Sequence, residues 1–292
     1  MLESPSLLND VLGPVMRGPS SSHTAGSYHI GRTVRDLLGG EPAKAVFTFD
    51  PSGSYAQTFR EQGVDLALAA GLMGWPITDP RFARALAAAR GAGLQVTFHV
   101  AVIEGADHPN MVAMRLVSRS GRSLTAVGKS TGGGGFVITT LDSWPVLIDG
   151  KAFMVIVRAD RSSRARLRTL LQTIRQPVNR PSWLVRGHEI QLTLRLACRP
   201  DDRLQGRLAA VRGVKDLRMA APVYFIPKGA PLFESAESMV RLAARRGWSL
   251  GRTAVAYEAR LLGLRERAIA EEILRRYLIM KESVAGGFKD RS

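Results

Sequence analysis

The side chains best suited to chemistry cluster after an early Gly-Pro turn. Hydroxyl groups and one imidazole follow one another there, in the order Ser20, Ser21, Ser22, His23 and Thr24. The apolar spacing that follows predicts a helix ending at Gly39-Gly40, so the cluster occupies the helix start. Unpaired N–H groups and partial positive charge at a helix start suit a carboxylate or phosphate, and they keep a histidine neutral and able to accept a proton. An ordinary Ser/Thr N-cap explains the same residues without a ligand.

Two later turns also combine polar side chains with accessible backbone. His108 and Asn110 flank Pro109, a position where a histidine also serves as a simple turn residue. Ser130 begins a turn whose glycines let the backbone approach a small ligand closely. The glycines singled out here are Gly132, Gly133 and Gly134. Two other histidines, His29 and His99, are interpreted as structural.

Four motifs, taken in order along the first half of the chain, resemble iron–sulfur L-serine dehydratases. Gly18–Gly26 looks like the segment that opens the family's beta region, and Pro51–Phe59 resembles its Gly-Ser-Phe-Ala-x-Thr segment. His108–Asn110 resembles the family's His-Pro-Asn, and Ser130–Phe136 resembles its Ser-x-Gly-Gly-Gly turn. Each motif alone is weak evidence, but four in the family's order form a specific match.

The resemblance implies β-elimination of L-serine to pyruvate and ammonia. In that chemistry one iron of a [4Fe–4S] cluster acts as a Lewis acid, and a base removes the α-proton. The resemblance implies catalytic roles for His23, His108 and Asn110. It implies a substrate site formed by Ser20, Ser21, Ser22, Thr24, Ser130, Gly132, Gly133 and Gly134. A zwitterionic amino acid needs donors for its carboxylate and acceptors for its ammonium, so we expect these segments to converge on one cleft.

One position departs from the resembled pattern and leaves the function open. Where the family carries Gly-His-Gly-Thr-Asp, this chain has Gln62 in place of the histidine. An amide cannot act as a base near neutral pH. Three functions therefore remain: a dehydratase beta subunit, a divergent relative acting on another β-substituted amino acid in a biosynthetic pathway, and a non-catalytic amino-acid-binding regulatory protein. A neighbouring gene for a cysteine-bearing alpha half would favour the first two.

Cysteine content limits the cofactor that this chain can hold. Cys198 is the single cysteine, and it lies in an alternating, strand-like run. Iron–sulfur clusters are usually held by several thiolates, so we expect no metal site here and a [4Fe–4S] cluster on a separate alpha-type subunit. A beta subunit of this kind would be inactive without that partner. The C-terminal helices carry more apolar residues than a small hairpin needs, so we expect them to dock on the alpha subunit or on a second copy of the chain.

Charge and hydropathy narrow the remaining partners. The formal net charge is +16, and arginines in the second half supply most of it. A basic surface can bind nucleic acid, but no helix-turn-helix, zinc-finger or aromatic RNA-binding motif accompanies it, so an acidic partner subunit is the expected complement. No apolar run approaches the roughly 18 residues that span a bilayer, and no signal peptide is evident, so we expect a soluble cytoplasmic protein.

The order of predicted elements gives an α+β fold in three parts. Residues 1–148 form a serine dehydratase beta-type domain, which is allosteric-substrate-binding-like. Residues 149–228 form a small βαββαβ module that resembles an amino-acid-sensing ACT module, although Asp160–Ser163 replaces the Asp-x-Pro-Gly signature of its first loop. Residues 229–292 form a helical segment resembling the start of the alpha region, whose last helix is expected to end before Gly286-Gly287.

Overall fold

The computed structural model describes residues 4–174 and 178–289, and it confirms an α+β fold. Contacts divide the chain into two compact units. The larger unit is Met16–Tyr224, and the smaller one combines the residues up to Val15 with those from Phe225 onward. The domain boundaries expected at residues 148 and 228 stay a prediction. Within the described residues, no helix is long and apolar enough to cross a membrane.

A six-stranded sheet forms the base of the larger unit. Its strands are β1 (Pro42–Phe49), β2 (Gln95–Val100), β3 (Met111–Ser118), β4 (Ser123–Gly132), β5 (Gly135–Leu141) and β6 (Trp144–Ile148). The order across the sheet is β2-β1-β3-β4-β5-β6. β1 and β2 run parallel, and the other neighbours run antiparallel.

Helices of the larger unit pack on this sheet and on one another at close range. They are α1 (Gly26–Leu38), α2 (Ser54–Thr58), α3 (Val64–Met73) and α4 (Ala85–Gly91). A Cβ atom at Gly31 of α1 would lie only 2.7 Å from the Leu68 carbonyl oxygen of α3, and one at Gly71 would lie 2.6 Å from the Tyr28 carbonyl oxygen. The two helices therefore touch backbone to backbone, which fixes the position of α1 and of the turn that precedes it.

A four-stranded sheet completes the larger unit in the predicted βαββαβ order. Its elements are β7 (Phe153–Asp160), α5 (Arg164–Leu171), β8 (Ser182–Arg186), β9 (Glu189–Leu196), α6 (Asp202–Ala209) and β10 (Val214–Ala220). The strand order is β10-β7-β9-β8, and every neighbouring pair is antiparallel. This is the order of a split βαβ, ferredoxin-like module.

An ion-pair network joins the two sheets of the larger unit. Asp142, between β5 and β6, lies 2.8 Å from Arg158 of β7 and 2.9 Å from Arg218 of β10. Asp216 of β10 pairs with Arg158 and Arg218, at 2.9 and 2.7 Å, and with Arg122 at 3.0 Å. These groups are half-buried or buried, so the network holds the small module against the six-stranded sheet.

The smaller unit is helical and incorporates the N-terminal segment. Its helices are α7 (Ala236–Arg246), α8 (Leu250–Leu262) and α9 (Glu266–Lys289). Glu258 of α8 is fully buried, and its carboxylate accepts hydrogen bonds from Ser6 Oγ at 2.5 Å, Leu7 N–H at 2.8 Å and Leu8 N–H at 3.0 Å. Beyond this core, the apolar side chains Leu274, Tyr277 and Leu278 of α9 are exposed.

Several element boundaries differ from the sequence expectation. The last helix continues through Gly286-Gly287, so the expected stop was wrong; neither glycine has the positive φ that a glycine helix stop requires. The strand β6, which the sequence analysis does not predict, contains Pro145 and lies at the edge of the sheet, where proline is tolerated. The first helix begins with a wide π-type turn, Ser21–Ala25, rather than a regular one.

Candidate functional site

His23 lies in the π-type turn that leads into α1. Ser20 caps this turn, since its hydroxyl accepts a hydrogen bond from the His23 N–H at 3.2 Å. Two hydroxyls bracket the imidazole: Nδ1 lies 3.1 Å from Ser22 Oγ, and Nε2 lies 3.0 Å from Ser54 Oγ. Burial lowers the pKa of His23. The ring is therefore neutral near neutral pH, and one of its nitrogens can accept a proton.

Ser54 reaches His23 because β1 ends and the chain turns at once into α2. Asp50 fixes this turn, since its carboxylate accepts hydrogen bonds from the Ser52 N–H at 3.0 Å and from the Ile103 N–H at 2.9 Å. The bond from Ile103, together with those from Ser52, lowers the pKa of Asp50. The carboxylate is therefore ionised at neutral pH and serves as a structural acceptor beside the site.

The His108–Asn110 turn packs directly against the same segment. A Cβ atom at Gly53 would lie 2.7 Å from the Pro109 carbonyl oxygen, so glycine is what allows this approach. The Tyr55 N–H donates to that carbonyl at 3.3 Å. The Nδ1 atom of His108 accepts a hydrogen bond from the Asn110 N–H at 3.1 Å, which is the turn role that the sequence also allowed.

Asn110 contributes a buried acceptor that has no partner. Its side chain is 8% exposed, and Oδ1 makes no hydrogen bond within the described part of the chain. The Asn110 carbonyl accepts from the Ser130 N–H at 3.2 Å, which joins this turn to β4. An unpaired buried acceptor costs about 1–3 kcal/mol, so Oδ1 is well placed to receive a donor from a small ligand.

The glycine turn after β4 lies against the start of α1. Ser130 is fully buried, and its hydroxyl donates to the Gly135 carbonyl at 3.1 Å. A Cβ atom at Gly26 would lie 2.1 Å from Ser130 Oγ, so these residues are in direct contact. His29, one turn further along α1, donates from Nδ1 to the Gly134 carbonyl at 2.7 Å. The glycines of the turn have positive φ values, namely Gly132 (89°), Gly133 (58°) and Gly134 (77°).

The structure thus brings the three predicted segments into contact with one another. The contacts run from His23 to Ser54, from Gly53 to Pro109, from Asn110 to Ser130 and from Ser130 to Gly26. Thr24 is engaged elsewhere, since its hydroxyl donates to the Gln62 carbonyl at 2.8 Å, and Ser21 is exposed. The chemical roles assigned to these residues stay predictions.

Sequence reasoning did not single out three residues of this contact group. Ser54 and Tyr55 stand inside a recognised motif, but their pairing with the serine–histidine turn spans more than 30 residues and depends on the fold. His29 was interpreted as structural, and its buried ring indeed anchors the Gly134 carbonyl. Burial lowers the pKa of His29, so this anchor is a neutral imidazole.

The residues present do not fit an iron–sulfur cluster. The chain has one cysteine, whereas such clusters are held by several thiolates. Among residues 4–174 and 178–289, no group of three or more histidine, cysteine, aspartate or glutamate side chains could hold a metal ion.

Comparison with known proteins gives two curated relatives that match about half of the chain. The chain is 37% identical over 150 residues to a protein named "Probable L-serine dehydratase, beta chain" from Bacillus subtilis (strain 168). It is 30% identical over 148 residues to "L-serine dehydratase, beta chain" from Peptoniphilus asaccharolyticus. Each match covers 51% of this chain and 66% of the relative. No family model matches the chain.

Proposed function

We propose that this chain, which is a serine dehydratase beta-chain-like protein over about half of its length, is the beta subunit of an L-serine dehydratase-like lyase. The reaction proposed is β-elimination of L-serine to pyruvate and ammonia. The cluster that such chemistry needs is assigned to a separate, cysteine-bearing alpha chain, because the residues of this chain do not fit one.

The observation that carries this proposal is the environment of His23. A neutral imidazole, held at both nitrogens by hydroxyls, lies in one contact group with the buried Oδ1 of Asn110, which has no hydrogen-bond partner among the residues that the structure describes. A base for an α-proton must be deprotonated at the working pH and held in place, and burial together with Ser22 and Ser54 meets both requirements. An ordinary helix cap needs neither feature.

The residues of this chain divide the work of binding and proton transfer. In this proposal the hydroxyls of Ser20 and Ser22 donate to the carboxylate of the amino acid, and Asn110 Oδ1 accepts from its ammonium. His23 accepts the α-proton at the ring nitrogen that carries no hydrogen. Closure by the alpha chain would exclude water, which strengthens each of these interactions.

Gln62 favours a second candidate, a lyase for another β-substituted amino acid. The resembled pattern has a histidine where this chain has Gln62, and an amide cannot act as a base near neutral pH. The backbone carbonyl of Gln62 accepts a hydrogen bond from the hydroxyl of Thr24, the residue after His23. A substrate with a better leaving group at its β-carbon needs less acid–base assistance than serine does. A non-catalytic amino-acid-binding subunit is the third candidate.

The deciding experiment is anaerobic co-purification with a cysteine-bearing alpha chain, followed by a substrate screen. We expect a stable complex with cluster absorbance on the alpha chain, and pyruvate formation from L-serine. His23→Gln should abolish turnover, and His99→Gln, at an exposed position of β2, should leave it unchanged. Turnover of a different β-substituted amino acid would establish the second candidate. Binding of L-serine with no turnover of any substrate would establish the third.

A further inference from the structure

The phenol of Tyr55 is the point where separate segments of the candidate site meet. Tyr55 is 1% exposed. Its hydroxyl donates to the Ser22 carbonyl at 3.1 Å and accepts from Ser27 Oγ of α1 at 2.8 Å. One buried oxygen thus links the turn that carries His23 to the helix that follows it.

The Tyr55 ring also touches the imidazole that it helps to place. Its centroid lies 5.2 Å from that of His23 in an edge-to-face arrangement, and 5.5 Å from that of Phe49 in β1. These ring contacts fix the position of Tyr55 in the core, and its hydroxyl adds the hydrogen bonds to Ser22 and Ser27. The resembled Gly-Ser-Phe-Ala-x-Thr motif has phenylalanine at this position, so the hydroxyl is a departure of this chain from that motif.

We propose that Tyr55 is a positioning residue that holds the His23 turn against α1. This inference rests on the proposed function for its catalytic meaning, but its structural content concerns His23 alone. By donating to the Ser22 carbonyl, the phenol fixes the peptide group that joins Ser22 to His23. Loss of that bond would let the turn relax and would admit water to the imidazole.

The phenol can keep this role over the whole working range of pH. Burial raises the pKa of Tyr55 to about 12, so the hydroxyl stays protonated and remains a donor to Ser22. The hydroxyl of Ser27, which donates to the phenol, completes its hydrogen bonding. Tyr55 therefore acts as a fixed strut rather than as an acid or a base.

The test compares Tyr55→Phe with Tyr28→Phe in the full chain, without any partner. Tyr28 is a matched control, because it is also buried, lies in the same unit and donates its hydroxyl to a backbone carbonyl, that of Trp75, at 2.6 Å. The readout is the NMR titration of the His23 ring, assigned with His23→Gln. We expect Tyr55→Phe to raise the pKa of His23 toward its ordinary value, and Tyr28→Phe to leave it unchanged.

L-serine binding gives a second readout. Loss of one hydrogen bond that organises a site weakens binding by about tenfold, so Tyr55→Phe should weaken L-serine binding by about that factor and Tyr28→Phe should not. If Tyr55→Phe does not fold, Ser27→Ala removes the bond that links the phenol to α1, and the same His23 titration then tests that link. An unchanged His23 titration in the folded variant, or equal changes in both tyrosine variants, would overturn the proposal. The titration needs no turnover, so a failure of the lyase assignment leaves this result readable.

Discussion

Adding one methyl group at Gly26 should destabilise the protein, whereas the same substitution at Gly206 should stabilise it. At Gly26 the new Cβ would lie 2.1 Å from Ser130 Oγ and 2.8 Å from Ser130 Cβ. Ser130 is fully buried, so it must rotate or shift and give up its bond to the Gly135 carbonyl. At Gly206, within α6, nothing lies within 4 Å of the new Cβ.

The magnitudes follow from these contacts. Overpacking in a buried site costs about 1–3 kcal/mol, and loss of one neutral hydrogen bond adds about 1 kcal/mol, so Gly26→Ala should lower the free energy of unfolding by about 2–4 kcal/mol. Gly206→Ala should raise it by about 0.5–1 kcal/mol, because alanine is the better helix former. Both residues belong to the larger unit, so one unfolding signal reports both variants.

The assay is urea unfolding followed by circular dichroism, extended to a double-mutant cycle with Ser130→Gly. That second substitution removes both atoms that the new Cβ would strike. We expect the destabilisation by Gly26→Ala to shrink by more than half in the Ser130→Gly background. A change of less than about 0.5 kcal/mol for Gly26→Ala alone, or additive effects in the cycle, would refute the close contact.

Three further outcomes are expected. Glu258→Gln should destabilise the smaller unit by about 2–4 kcal/mol, since an amide cannot accept from all three donors that the carboxylate binds. The same change should remove the hydrogen-exchange protection of the Leu7 and Leu8 amides. Glu237→Gln, at an exposed position, should change neither the stability nor the protection. Lowering the pH from neutral through the ordinary histidine pKa of 6.5 should destabilise the protein, because burial lowers the pKa of His29 and the unfolded chain binds the proton first; His29→Gln should flatten this dependence, and an unchanged slope would argue against it. The isolated chain, purified anaerobically, should contain no stoichiometric iron or sulfide, as metal and sulfide analysis would show.

The strands and helices with strong local patterns could be predicted from the sequence. The run from Ala45 to Phe49 is dominated by β-branched and aromatic residues and forms the end of β1. Gly74 ends α3 with a left-handed φ of 70°, as a glycine that stops a helix does. The rule that glycine ends a helix gave the wrong result at Gly286 and Gly287, because a glycine pair with open space around it can also stay helical at modest cost.

The segments of the candidate site could be predicted from the sequence, but the hydrogen bonds between them could not. Residue type alone identifies side chains that can bind a ligand or accept a proton, so His23, Asn110 and Ser130 could be named from the sequence. The partners that orient them, Ser54 and Tyr55, act across the fold, and no local pattern gives a distance between residues that far apart. That Asn110 Oδ1 is buried without a hydrogen-bond partner among the described residues is likewise a consequence of packing, which no local sequence pattern shows.

The buried carboxylate of Glu258 also sets an order of events during synthesis. Ser6 and Glu258 are 252 residues apart, so the carboxylate that accepts from the Ser6 hydroxyl and from the N–H groups of Leu7 and Leu8 is absent until α8 has been made. At about 5–20 residues per second, that interval is roughly 10–50 s. Met16–Tyr224 can form its sheets within this time, before the residues that precede it can bind the Glu258 carboxylate. The smaller unit therefore joins residues from both sides of the larger one only after the larger one has left the ribosome.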